Sequence, residues 1–123
     1  MYDVTIIGCG VIGAAAAYEL SRRKLRVLVL ERENDVAMGT SRANSAIIDA
    51  GYDAECGTLM ARLNVEGNAM AGEICEKLDV PFKGIGSLVA AFDDHDETMI
   101  RELYERGVKN GVPGLEIVER DRL

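Results

Sequence analysis

The hexapeptide GCGVIG at residues 8–13 determines the predicted fold, because it joins a strand pattern to a helix pattern. Residues 2–7 before it alternate and are rich in β-branched side chains, which predicts a short buried strand. From Val11 the apolar residues repeat at helical spacing on two lines, so we expect a helix that is covered on two sides. Residues 26–30 then resume an extended apolar run. This order predicts a β-α-β unit.

Each glycine of the hexapeptide has a predicted task in binding a dinucleotide. Gly8 makes the tight turn after the strand, Gly10 lets a pyrophosphate approach the backbone, and Gly13 lets helix and strand pack closely. The N–H groups of Val11 and Ile12, at the positive end of the helix dipole, are the predicted phosphate donors. A pyrophosphate is therefore expected at the start of this helix.

A carboxylate follows the second predicted strand at a position that suits a ribose. Glu31 lies 18 residues after Gly13, where it can accept hydrogen bonds from both hydroxyls of an adenosine ribose. The same charge repels a 2′-phosphate, so NADP is disfavoured and FAD or NAD remain. The alternative interpretation is a tight turn in another α/β domain, with Glu31 as a solvated strand end.

A second candidate site and four further elements follow along the chain. Residues 34–44 are small and polar without any periodicity, and a connection of this length in a compact domain is more often functional than idle. The elements predicted after it are a helix capped by Thr58 and stopped before Pro81, a strand over residues 83–92, a helix capped by Asp94 that ends at Asn110-Gly111, and a strand over residues 115–118.

Composition excludes several function classes. The 14 Lys and Arg residues against 21 Asp and Glu residues give a net charge of −7, which argues against nucleic acid or an anionic membrane surface as a partner. The apolar stretch over residues 11–20 is shorter than the roughly 20 residues that cross a bilayer, so no transmembrane segment is expected. One His and three Cys without C-x-x-C spacing predict no metal site. No signal-peptide pattern follows Met1, so the expected location is cytoplasmic.

Residues 3–31, together with GTSRANSAII at residues 39–48, resemble the N-terminus of the FAD-dependent glycerol-3-phosphate dehydrogenase and D-amino-acid oxidase superfamily. Within it, the chain is most similar to the bacterial glycerol-3-phosphate dehydrogenase-like and L-2-hydroxyglutarate oxidase-like enzymes. The resemblance covers essentially the whole chain, yet family members are several times longer. It implies an incomplete Rossmann-type α/β fold, with the β-α-β unit and loop in residues 1–50 and a helical and strand segment in residues 51–123 that leads into a substrate domain.

The resemblance also implies FAD as the cofactor and two sets of residues around it. The set that holds the ADP half comprises Gly8, Gly10, Gly13, Glu31 and Arg32. The set that contacts the pyrophosphate and the ribityl chain comprises Thr40, Ser41, Asn44 and Ser45. An alternative role for Thr40 and Ser41 is to cap a short helix, and the two roles are compatible because a cap and a phosphate use the same helix end.

Two residues depart from the family's pattern. Lys24 stands where the first helix usually ends in glycine, and a left-handed cap at a residue with a side chain costs about 1 kcal/mol. Asp49 stands where such enzymes commonly carry histidine near the flavin ring, and its charge opposes a reduced flavin or an anionic substrate. The alternative for Asp49 is a turn residue before Gly51.

The sequence and the resemblance together predict the ADP-binding part of an FAD-dependent oxidoreductase. The resemblance implies hydride removal from a carbon that bears a hydroxyl or amino group, in a hydroxy acid, a polyol phosphate or an amino acid. The sequence does not indicate which residue, if any in this chain, acts as the catalytic base. Two alternatives stay open: an NAD-dependent dehydrogenase domain, which does not need the loop over residues 39–45, and a non-enzymatic truncated fragment that self-associates as a homo-oligomer.

Overall fold

The computed structural model describes residues 1–122, and the first of its two compact units is Met1–Ile47. This unit contains strand β1 (Val4–Ile7), helix α1 (Val11–Ser21) and strand β2 (Val27–Leu30). The predicted β-α-β unit is therefore confirmed.

The two strands of this unit pair in parallel, with Val4 opposite Val27 and Ile7 opposite Leu30. Parallel strands need a crossover connection, and α1 supplies it. Because both strands end at the same edge of the sheet, the glycine loop after β1 lies next to Glu31, which follows β2. The predicted α/β fold class is confirmed.

Helix α1 is covered on one side rather than on the two sides that its sequence predicts. The line formed by Gly13, Ala17 and Leu20 is half-buried, whereas Val11 and Ala14 on the second line are exposed. A sheet of two strands covers one helix face, and on the other face Tyr18 alone of the second line is half-buried, with the guanidinium of Arg22 over its ring. The second apolar line is therefore a surface of this unit.

The end of α1 does not use a left-handed cap. Arg22 caps the helix in the right-handed region, at φ −78°, and the N–H of Arg23 donates to the carbonyl of Leu20 at 2.9 Å. Lys24 is not among the described non-glycine residues with positive φ. The predicted strain at Lys24 is therefore wrong, because the chain leaves the helix through right-handed geometry.

The second unit begins at Ile48 and contains helix α2 (Leu59–Lys77), helix α3 (Asp94–Asn110) and a 3-10 turn (Arg120–Arg122). Thr58 caps α2 as predicted, since its hydroxyl accepts the N–H of Ala61 at 3.2 Å. None of the helices in the described part of the chain combines the length and the apolar character of a membrane span.

The N-cap of helix α3 lies one residue earlier in the chain than the sequence predicts. The cap is Asp93, whose carboxylate accepts the N–H of Asp96 at 2.9 Å, whereas Asp94 is the first residue inside the helix. The predicted stop at Gly111 is confirmed, because Gly111 adopts the left-handed conformation at φ +82°. Consecutive carboxylates at a helix start are both competent caps, so spacing alone did not distinguish them.

Two predicted strands are wrong. Residues 83–92 and 115–118 have no regular secondary structure, and the one ladder among residues 1–122 is that between β1 and β2. A strand needs a second strand with which its backbone can form hydrogen bonds. An alternating apolar pattern indicates only that a segment favours the extended conformation, and it does not show that such a partner is present. Phe92 is 90% exposed, which shows that the apolar side chains of the first segment also lack a partner face here.

Small side chains form the buried core of the second unit. Gly107 on α3 leaves no room for a side chain, because a Cβ there would lie 2.5 Å from Cδ1 of Leu115 and 2.9 Å from Cβ of Tyr52. The helix and the segments beside it therefore pack at backbone distance. The buried apolar residues are Ala54, Ala61, Ala71 and Val112.

Candidate functional site

The glycine loop between β1 and α1 has the geometry that its sequence predicts. Gly8 has a φ of +95°, and its N–H donates to the carbonyl of Leu30 at 2.7 Å. A Cβ at Gly13 would lie 2.0 Å from the Gly8 carbonyl oxygen, so no side chain fits there. The tight turn and the close packing of helix on strand thus both depend on glycine.

Glu31 directly follows β2, and its carboxylate reaches back to the glycine loop. Its Oε2 accepts the N–H of Cys9 at 2.7 Å, and its Oε1 accepts those of Arg32 at 2.8 Å and Glu33 at 3.0 Å. The N–H groups of Glu33 and Cys9 are the main causes that hold the pKa of Glu31 below its usual value. The side chain is therefore ionised at neutral pH, and of its roughly four acceptor positions one, on Oε2, is left for a hydroxyl donor.

The loop after β2 is tied to the glycine loop by two hydrogen bonds. The N–H of Ala37 donates to the carbonyl of Cys9 at 3.0 Å. The N–H of Val11, at the start of α1, donates to Oγ of Ser41 at 2.8 Å. Residues 36–42 form turns between these contacts, so the loop lies against the helix N-terminus.

A cleft of about 390 Å³ lies between the glycine loop, the end of β2 and this loop. Five of the predicted cofactor residues line it, together with four that the sequence did not single out. The predicted ones are Gly10, Glu31, Arg32, Thr40 and Ser41, and the others are Glu33, Ala37, Met38 and Gly39.

The four additional lining residues carry a partial signal in the sequence. Ala37, Met38 and Gly39 lie inside the polar stretch that the sequence marks as a second candidate site, but only the path of the backbone shows which residues face the cleft. Ala37 has a φ of +57°, which no residue-type rule predicts for alanine. Glu33 also lines the cleft, because it follows Glu31 and Arg32 directly after the end of β2.

The other predicted residues lie beside the cleft or outside it. Gly8, Val11, Ile12 and Gly13 form the turn and the first helical turn that adjoin it. Asn44 and Ser45 do not line it.

Asn44 has both ends of its amide engaged within its own loop. Its Nδ2 donates to the carbonyl of Ser41, and its Oδ1 accepts the N–H of Ala46 at 2.7 Å. Contacts of Asn44 and Ser45 with a cofactor stay a prediction.

Asp49 lies in the second unit, where its geometry matches the interpretation as a turn residue. Its Oδ1 accepts the N–H of Gly51 at 3.2 Å, and Gly51 has a φ of +92°. Asn64 donates to the other carboxylate oxygen at 3.4 Å, and Asn68 donates to the Asp49 carbonyl at 3.1 Å. The carboxylate is thus held in a local hydrogen-bond network.

A family model described as "FAD dependent oxidoreductase" matches residues 3–123. The chain belongs to the FAD dependent oxidoreductase family. This membership confirms the resemblance seen in the sequence and favours FAD over the NAD alternative.

Two relatives of the chain carry the name of a dehydrogenase. Over 123 residues it is 54% identical to a glycerol 3-phosphate dehydrogenase of Caloramator mitchellensis, which covers 100% of this chain and 26% of that protein. Over 121 residues it is 40% identical to the mitochondrial L-2-hydroxyglutarate dehydrogenase of Nematostella vectensis, which covers 97% of this chain and 26% of that protein. The chain thus spans about a quarter of the length of these relatives.

A solved structure with FAD bound has the same fold. It is the dithionite-reduced L-α-glycerophosphate oxidase of Mycoplasma pneumoniae, which matches with a TM-score of 0.77 and 35% identity over 89% of this chain and 29% of that one. The likeness confirms the predicted Rossmann-type FAD-binding fold.

The residues of the cleft fit the ADP half of FAD. Glu31 offers a charged acceptor for a ribose hydroxyl, and the N-terminus of α1, where the N–H of Val11 already donates to Oγ of Ser41, offers the positive end of the helix dipole to a phosphate. The absence of a side chain at Gly10 leaves its backbone accessible to a phosphate. It also leaves room for Ser41, because a Cβ at Gly10 would lie 3.0 Å from Oγ of Ser41. A charged hydroxyl acceptor and the residue that precedes a helix N-terminus, Gly10, therefore lie at one cleft.

Proposed function

We propose that this chain supplies the ADP-binding part of an FAD-dependent oxidoreductase that acts on a small molecule. The observation that carries the proposal is the cleft in which the Glu31 carboxylate and the N-terminus of α1 lie together. Bound FAD supplies the chemistry of hydride acceptance, and the residues of this chain bind and orient the cofactor.

Glu31 has the task of orienting the adenosine ribose. Its charge makes its hydrogen bonds to hydroxyl groups stronger than those of a neutral acceptor. The N–H groups of Cys9, Arg32 and Glu33 fix the position of the carboxylate before any ligand binds. A ribose hydroxyl therefore meets an acceptor that needs little rearrangement.

Arg32 and Glu33 set the charge of the cleft beside the ribose. Nε and Nη2 of Arg32 lie 3.0 Å and 2.9 Å from one carboxylate oxygen of Glu33, so the cation is already paired. Together with Glu31 these side chains leave one net negative charge on the cleft wall. That charge disfavours a nucleotide with a 2′-phosphate and accepts FAD, whose ribose carries free hydroxyls.

The substrate that we propose is a polyol phosphate or a 2-hydroxy acid. Glycerol 3-phosphate and L-2-hydroxyglutarate, which the names of the relatives give, each carry a carbon with both a hydrogen and a hydroxyl. The 54% identity to the glycerol 3-phosphate dehydrogenase favours the phosphate over the hydroxy acid, and amino acids rank behind both. Anaerobic mixing of the full-length protein with each compound tests this choice. A compound that is a substrate would reduce the bound flavin and so lower its visible absorption.

Competition between parts of the cofactor tests the proposed role of this chain. We expect ADP to compete with FAD for the full-length apoprotein, and Glu31→Gln to weaken FAD binding about tenfold by loss of a charged acceptor. Glu102→Gln, at an exposed glutamate of α3, is the control that keeps wild-type affinity. Equal affinity of the Glu31 variant and the wild type contradicts the proposal.

A further inference from the structure

We propose that Glu33 is a specificity-determining residue, which holds the Arg32 guanidinium and so prevents it from binding the 2′-phosphate of a nucleotide. Glu33 acts through Arg32, and it is therefore a positioning residue. The inference rests on the proposed function, and it adds the residue that decides which adenosine nucleotides the cleft accepts.

Arg32 brings to the cleft a charge that favours a ligand with a 2′-phosphate. In dinucleotide sites an arginine near the end of the second strand accommodates a 2′-phosphate, whereas a carboxylate there selects free ribose hydroxyls. This cleft has both, because Arg32 directly follows Glu31 and both residues line it. Within residues 1–122, Arg32 is the one cationic residue of the lining. Glu31 alone therefore does not determine which kind of nucleotide binds.

Glu31 repels a phosphate less strongly than a carboxylate without hydrogen-bond donors would. Its oxygens accept the N–H groups of Cys9, Arg32 and Glu33, and these dipoles offset part of its negative charge. The Arg32 side chain is 91% exposed, so its guanidinium is accessible to a ligand. Without a carboxylate partner, this guanidinium would offer a planar set of donors to a phosphate and so oppose the repulsion by Glu31.

The geometry of residues 31–33 gives the guanidinium such a partner. Adjacent residues of a strand point to opposite faces of a sheet, but the chain bends over residues 32–35, just after β2. Oε1 of Glu31 accepts the N–H groups of Arg32 and Glu33, at 2.8 Å and 3.0 Å, and holds this bend. Nε and Nη2 of Arg32 lie 3.0 Å and 2.9 Å from the same oxygen of Glu33. The edge of the guanidinium that could bind a phosphate therefore already faces a carboxylate.

Competition of two nucleotides with FAD for the full-length apoprotein tests the proposal. The probes are ADP and 2′-phosphoadenosine 5′-diphosphate, which differ only in the 2′-phosphate. The variants are Glu33→Gln, Arg32→Gln and the double variant. Glu102→Gln is the control, because it removes one negative charge from an exposed position of α3.

In the wild type we expect the 2′-phosphorylated probe to bind about tenfold more weakly than ADP. Glu33→Gln should raise the affinity for this probe about tenfold, because Arg32 becomes free to bind the phosphate, and should change the affinity for ADP less than about twofold. In the Arg32→Gln background the same substitution should change either affinity by less than about twofold. Glu102→Gln should behave as the wild type does.

Three results would contradict the inference, and they separate it from the proposed function. If ADP binds but Glu33→Gln leaves the ratio between the two probes unchanged, the inference fails and the proposed function stands. A gain that persists in the Arg32→Gln background also overturns the inference, because Glu33 would then repel the phosphate directly. If ADP does not displace FAD from the wild type, the proposed function fails and the inference fails with it.

Discussion

At the scale of single residues, Gly13 is the position with the least tolerance for change. We predict that Gly13→Ala destabilises the protein by roughly 3 kcal/mol or more, because its Cβ would lie 2.0 Å from a backbone oxygen that cannot rotate away. Chemical unfolding of the full-length protein measures this loss. Gly39→Ala is the matched control, since a Cβ there meets nothing within 4 Å, and equal losses in both variants contradict the packing argument.

Glu31 gives the stability of the protein a specific pH dependence. Its pKa in the folded protein is lowered by the N–H groups of Glu33 and Cys9, so the charged form stabilises the fold. That contribution is complete above the unfolded value of about 4.5 and is lost as the pH falls through the lowered folded value.

We therefore predict that the stability difference between wild type and Glu31→Gln is constant from pH 6 to 8 and shrinks below about pH 4.5. Urea unfolding of the apoprotein across this range measures the difference. A difference that grows on acidification contradicts the assigned role of these N–H groups.

Residue types and spacing predicted the tight turn at Gly8, the close packing at Gly13 and the place of Glu31 beside them, because these depend on backbone geometry that the β-α-β unit imposes. The spacing did not predict that both Glu31 oxygens accept backbone N–H groups, since that depends on how residues 31–33 turn after the strand. Asn44 shows the same limit. Its residue type did not show that its amide closes a turn within its own loop, because that contact depends on the path of the backbone.

At the scale of elements, α3 holds the segment before α2 by the side chain of Asn110. Its Nδ2 donates to the carbonyls of Gly51 at 2.9 Å and Ala54 at 2.8 Å, both in a half-buried setting. We predict that Asn110→Ala destabilises the protein by about 1–3 kcal/mol, because two carbonyls lose their donor.

Thermal unfolding of the full-length protein checks this prediction against Asn34→Ala. Asn34 is an exposed residue of the loop after β2, so its loss should change stability by less than about 0.5 kcal/mol. Equal stability of the two variants would show that Asn110 does not hold this segment.

The helices were predictable and the later strands were not, for one physical reason. A helix satisfies its backbone within itself, so periodicity, the Thr58 cap and the Gly111 stop were sufficient to predict α2 and α3. A strand satisfies its backbone only with a neighbour, and residues 83–92 have none in the described chain. Strands β1 and β2 were predictable because they pair with each other within one β-α-β unit.

At the scale of the whole molecule, large apolar side chains remain exposed. Ile7 is 88% exposed and Ile12 is 81% exposed, and the first unit has no fully buried residue. A two-stranded sheet with one helix is marginal in water, and an uncovered sheet edge invites pairing with another chain.

We predict that the isolated 123-residue chain self-associates, binds FAD more weakly than the full-length protein and has no oxidoreductase turnover. Sedimentation and flavin titration of the isolated chain test the first two points, and dye reduction with glycerol 3-phosphate tests the third. A sharply monomeric profile contradicts the self-association, and steady dye reduction contradicts the loss of turnover.

The most direct test of the central claim is the visible absorption spectrum of the desalted full-length protein. The claim is that this chain forms the ADP-binding cleft of an FAD-dependent oxidoreductase. It predicts flavin bands that survive desalting, and FAD rather than FMN among the molecules that denaturation releases. A colourless protein that also takes up no added FAD would contradict it.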